Sequence, residues 1–75
     1  MQELIEFILK SIVNDTEAVK VDAIKEDRFT LYKVTVAEGD IGSVIGKGGK
    51  IAEAIRTIAK TASQRERIRI KFDTK

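Results

Sequence analysis

The apolar positions of the chain change period several times, and each change marks an element. In residues 2–13, Leu4, Ile5, Ile8, Leu9 and Ile12 recur at helical spacing. That predicts an amphipathic helix with one apolar stripe. Glu3 and Glu6 sit toward its N-terminal end and Lys10 toward the other, the order a helix dipole favours. Asn14-Asp15-Thr16 reads as a stop and turn. The period then falls to two. Val19, Val21 and Ala23 alternate with Lys20 and Asp22, predicting a strand over 18–26 whose end is disturbed at Ile24. Glu26-Asp27-Arg28 is short enough to be a hairpin connection. A second strand follows over 29–36, with Tyr32, Val34 and Val36 on one face and Leu31, Lys33 and Thr35 on the other.

Gly39-Asp40 starts a different pattern, and Asp40 suits the N-cap of a short helix over Ile41–Ile45. Gly46–Gly49 is a turn. Lys50–Ala62 reads as a longer helix with Ile51, Ala52, Ile55, Ile58, Ala59 and Ala62 on its stripe; Ile55 and Ile58 are assigned to the core. Glu53, Arg56 and Lys60 occupy its other face. A third strand over 67–72 points Ile68, Ile70 and Phe72 one way and Arg67, Arg69 and Lys71 the other. Helical faces and one sheet face must then cover each other, which predicts a two-layer α/β (α+β) sandwich. With no repeat or linker, residues 1–75 read as a single domain.

Composition narrows the chemistry. The chain has no cysteine and no histidine, so thiolate and imidazole chemistry, catalytic or metal-binding, is excluded. Ser11, Ser43 and Ser63 lack a histidine to activate them, and the carboxylates Asp22, Glu26 and Asp27 show no sign of a pocket. An enzyme is not expected, nor a metal or cofactor. No segment is long and apolar enough to span a bilayer and the first residues are acidic, so a cytoplasmic location is expected. The net charge of +2 conceals an asymmetry. Residues 1–40 hold five Lys/Arg and nine Asp/Glu, net −4; residues 41–75 hold nine and three, net +6. A basic half of this kind suits a polyanion.

Three glycines and two lysines lie within Gly46–Lys50, inside that basic half. A glycine turn feeding a helix start lets an anion approach backbone amides closely. Two phosphate motifs fail on spacing. Gly42 and Gly46 are separated by three residues where a P-loop needs four, and Gly48 follows Lys47 where Ser or Thr is needed. Ile51 stands where a dinucleotide fingerprint needs its last glycine. A plain helix–turn–helix corner, with Gly46 as a left-handed cap, accounts for two glycines but leaves Gly48, Lys47 and Lys50 without a role.

Val44-Ile45-Gly46-Lys47-Gly48-Gly49-Lys50-Ile51 resembles the V-I-G-x-x-G-x-x-I signature of KH domains, with Gly46-Lys47-Gly48-Gly49 as the GxxG loop. The element order resembles the bacterial, type II arrangement, α-β-β-α-α-β, over nearly the whole chain. A chain of this size is similar to the small stand-alone bacterial KH proteins of the KhpA type. The resemblance implies a three-stranded mixed sheet packed against three helices, and a loop that clamps about four nucleotides of single-stranded RNA. It implies one groove wall at Ile41, Gly42, Ile45, Gly46, Lys47, Gly48, Gly49, Lys50 and Ile51, and the other across residues 63–70. Amides from Lys47 to Lys50 would meet phosphates. Arg65, Arg67 and Arg69 are candidate contacts to phosphate or base; Lys71 is assigned to a solvated sheet face. Phosphate contacts of this kind also admit single-stranded DNA. Phe7, Phe29, Tyr32 and Phe72 are placed on core elements, so no stacking platform is expected. A single weak groove calls for avidity, and the resemblance implies a homodimer or a pairing with another KH-containing RNA-binding protein. The implied role is RNA chaperone or post-transcriptional regulator; the alternative is a protein-interaction adaptor that uses the fold mainly for docking.

Overall fold

The computed structural model describes residues 1–64 and 66–74. Helix α1 spans Gln2–Lys10, strand β1 Lys20–Lys25, strand β2 Thr30–Val36, helix α2 Ile41–Ile45, helix α3 Lys50–Ser63 and strand β3 Ile68–Thr74. Short 3₁₀ turns at Thr16–Ala18, Glu38–Asp40 and Lys47–Gly49 link them. The order α-β-β-α-α-β is the one predicted. The sheet order is β1-β2-β3. β1 and β2 pair antiparallel, Val21 opposite Val34, and β2 and β3 pair parallel, Thr30 opposite Ile68 and Val36 opposite Thr74.

The core lies between one sheet face and the helices. Tyr32, Val34 and Val36 of β2 and Ile68 and Ile70 of β3 meet Ile5 and Leu9 of α1, Val44 of α2, and Ile55 and Ala59 of α3. Alternation along β2 is as predicted, with Thr30 added to the buried set.

The differences from the predicted elements have local causes. α1 ends at Lys10 rather than residue 13. The Ser11 hydroxyl donates to the Phe7 carbonyl at 2.9 Å, a bond that competes with helix continuation. Val13 is nonetheless buried after the turn. Phe7 faces away from the sheet and is 71% exposed, so it is not a core aromatic. Ile58, assigned to the core from its stripe, is 47% exposed. Ala52, Ile55 and Ala59 already fill the line of α3 that faces inward; Ile58 sits to one side of it. Asp40 occupies the N-cap position of α2 but makes no cap bond. Its buried carboxylate instead accepts the Asn14 N–H at 3.1 Å and the Asp15 N–H at 3.0 Å.

Candidate nucleic-acid interface

β2 delivers the chain to α2, and α2 delivers it to the glycine turn. Val44 is fully buried and anchors α2 to the core. On the same short helix Gly42 and Ser43 are exposed and Ile41 and Ile45 half-buried. The turn then takes a path that L side chains resist. Gly46 has φ 75 and ψ 172, Gly48 φ 65 and Gly49 φ 76. Gly46 is therefore not the left-handed cap of a plain corner, because its ψ lies far from that conformation. Gly48, which the plain corner left idle, sits in the left-handed region where glycine is favoured.

Hydrogen bonding divides the loop amides. Gly49 N–H donates to the Gly46 carbonyl at 3.1 Å, and Lys50 N–H donates to the Lys47 carbonyl. These two are spoken for, a correction to the expectation that all four amides from Lys47 to Lys50 face a ligand. Among the described residues, the Lys47 and Gly48 amides have no backbone acceptor. Both residues are exposed, as is Lys50. The fourteen-residue α3 starts here without a side-chain cap, so its positive dipole end is directed at the same spot. Ile51 lies on the first turn of α3, 38% exposed, against Gly46. The chain thus brings Ile41, Gly42, Ile45, the loop, Lys50 and Ile51 into one continuous surface.

The opposite wall is set by the sheet. β3 runs parallel to β2, so Phe72–Thr74 lie level with the entry to α2 and Ile68 lies level with the hairpin. Between α3 and β3 runs a trough of about 370 Å³ lined by Arg56, Lys60, Ile68, Arg69 and Ile70. Arg56 sits over the Phe72 ring, 5.2 Å from its centroid, and pairs with Glu53 at 3.7 Å. Arg67 is exposed at the far end of the trough, beyond the length of α3 from the glycine loop. The structure therefore does not bring Arg67 to the loop. Arg65 lies outside the described residues. Arg56 and Lys60 are the residues that sequence reasoning left on a solvated face. Their i,i+4 spacing was visible, but the strand they face comes from tertiary packing. Tyr32, buried beneath this wall, has its phenol pKa raised by burial and then by the Glu66 charge, so it stays neutral and contributes no anion.

The model of the KhpA/KhpB KH-domain family matches residues 2–73. The chain belongs to the KhpA/KhpB KH-domain family. Its match to that model reaches all six elements of the sandwich and ends one residue before the end of β3. Among relatives, the RNA-binding protein KhpA of Borreliella burgdorferi is 37% identical over 71 residues, covering 95% of this chain and 87% of the relative. The RNA-binding protein KhpA of Caldanaerobacter subterraneus is 41% identical over 70 residues, covering 93% of each. That of Clostridium perfringens is 42% identical over 66 residues, covering 88% of each. No solved structure gave a significant match. This KH family is one of RNA-binding proteins by the names of these relatives, not of enzymes. No described helix is long and apolar enough to cross a membrane.

Proposed function

We propose that this chain binds single-stranded RNA with the Gly46–Gly49 loop and the groove beside it, as a cytoplasmic RNA chaperone or post-transcriptional regulator. The observation that carries the reading is the loop itself. Among the described residues, the amides of the exposed Lys47 and Gly48 have no backbone acceptor, and the exposed Lys47 and Lys50 side chains stand with them at the uncapped start of α3. Phosphates satisfy those amides and gain from the dipole and the ammonium groups. The half-buried Ile41 and Ile45 and the exposed Ile51 offer apolar contact to unstacked bases. The relatives' RNA-binding names support the same reading.

The test is fluorescence anisotropy with short labelled RNA on native protein and on the Lys47→Asp, Gly48→Asp double variant. Aspartate is among the residues that tolerate φ 65, and a β-carbon at Gly48 meets nothing within 4 Å, so the variant is expected to fold. Its affinity is expected to drop by more than about tenfold; a folded variant with native affinity rejects the loop as the clamp.

Pairing with a second KH-containing chain, of the same or another kind, belongs to this proposal because one short groove gives modest affinity. Phe7 and Ile58 support it as large apolar side chains left in water. Sedimentation of native protein against Phe7→Ser and Ile58→Ser variants tests it. A native monomer at every concentration counts against self-pairing.

A further inference from the structure

At the end of α3 away from the glycine loop, the trough opens into a cleft of about 730 Å³. One wall is the β1–β2 hairpin and the other is the junction of α3 with β3. Phe29 stands in the hairpin wall, half-buried, and the Arg69 guanidinium lies over it, 4.8 Å from the ring centroid. Phe29 is therefore no buried core aromatic; it borders an open space.

The charge of the cleft is mixed. Lys60 and Arg67 line it, and among the described residues neither lies within 4.0 Å of a carboxylate. Glu66 lines it too, but its carboxylate accepts the Thr30 hydroxyl at 2.8 Å. Glu26 and Asp27 stand at the hairpin rim, and the carbonyl end of α3 adds partial negative charge. A bare phosphate fits poorly in such a place. A nucleobase fits well: it is flat, uncharged, carries donors and acceptors on its edge, and stacks on aromatic rings or on guanidinium planes. The volume falls within the range of sites for small ligands.

The cleft is continuous with the groove. Lys60, Ile68 and Arg69 line both the trough and the cleft. Lys60 stands ten residues after Lys50, about 15 Å down the helix. We infer that the cleft holds one further unstacked base of the strand that the glycine loop clamps, stacked on the Phe29–Arg69 pair, with Lys60 and Arg67 on the adjoining phosphates. This assignment rests on the RNA reading above and extends it by a second recognition point.

The experiment compares labelled RNAs of four and seven nucleotides on native protein, Phe29→Leu and Arg69→Lys. Leucine keeps the apolar bulk without the ring. Lysine keeps the charge without the planar group. A seven-nucleotide strand offers a four-nucleotide groove about four registers, so lengthening alone gives about a fourfold gain in every protein. Native protein is expected to exceed that gain by a further five- to tenfold, roughly the value of one stacked base. Both variants are expected to lose this surplus, and Phe29→Leu, whose ring lies outside the trough, is expected to keep native affinity for the four-nucleotide RNA; Arg69 lines the trough as well, so Arg69→Lys is read on the ratio of its two affinities alone. A surplus absent from native protein, or intact in both variants, overturns the cleft assignment and leaves the loop reading standing. Failure of native protein to bind either RNA rejects the loop reading, and the cleft assignment falls with it.

Discussion

A β-carbon at Gly46 would sit 2.6 Å from Ile51 Cγ1 and 2.9 Å from Ile51 Cβ. The second contact is with the root of a side chain, which cannot rotate out of the way. The backbone there, φ 75 and ψ 172, is itself strained for any residue with a β-carbon. Gly46→Ala is accordingly expected to cost about 2–4 kcal/mol, combining strain and overpacking. Urea denaturation measures this, and a cost below about 0.5 kcal/mol, the range of an ordinary surface change, contradicts it. Tyr32 makes a different residue-scale prediction. Its phenol titrates near 10.0 when unperturbed, and burial first, then Glu66, raises it in the fold. Between the two values the folded state holds a proton that the unfolded chain has released. The associated stability is complete below the unfolded pKa and is lost as pH rises through the folded one. Between about pH 9 and about pH 11, the melting temperature of native protein is expected to fall further than that of Tyr32→Phe. Parallel declines would contradict this.

Among elements, the informative link is between the α1–β1 connection and the start of α2. Asp40 joins them by accepting two amides, from Asn14 and Asp15, with one carboxylate. Asp40→Ala leaves both donors without their partner in a part-buried site, and is expected to cost about 2–4 kcal/mol. Because α2 carries the glycine loop, RNA affinity is expected to weaken too. Asp40→Asn keeps one acceptor oxygen and should recover part of both; an Asp40→Ala protein as stable as native refutes the link. This bond also marks where sequence stops being readable. The cap preference placed Asp40 at the right position, because that preference is local, but not its bonds: it caps nothing, and its partners lie more than twenty residues away. The helices and strands were legible for the same local reason: period 3.6 or 2 reports which face is apolar. Whether an apolar face is covered is not a local property. Ile55 and Ile58 look alike on the stripe, and only the placement of the layers separates them. The loop from Gly46 to Lys50 was legible because glycine spacing and charge are both local. The trough was not, since Arg56 and Lys60 acquire their meaning only from β3.

On the scale of the molecule, the charge asymmetry becomes a shape. The basic half of the sequence supplies α2, the loop, α3 and β3. Lys47, Lys50, Lys60 and Arg67 are exposed along the groove that these elements form. If about three phosphates are neutralised there, log K for RNA should fall with log salt at a slope of roughly −2. Anisotropy titrations at several salt concentrations give the slope directly, and a value near zero would remove phosphate contact from the mechanism. The acidic half forms α1 and the β1–β2 pair, so repulsion biases a polyanion toward the groove side.

The parallel pairing of β2 with β3 has a kinetic meaning. β1 and β2 meet through a hairpin, a contact between near neighbours in sequence that closes in microseconds. β2 and β3 meet only when the chain running through α2, the glycine loop and α3 closes back from Val36 to Ile68. That long closure is the entropically costly step of this topology. Every element of the groove lies within it or at its ends, so no half-built form of the chain with β3 detached retains the binding surface. A strand of RNA lying from the loop to the hairpin end would bridge both sides of this long-range contact, and would slow its reopening.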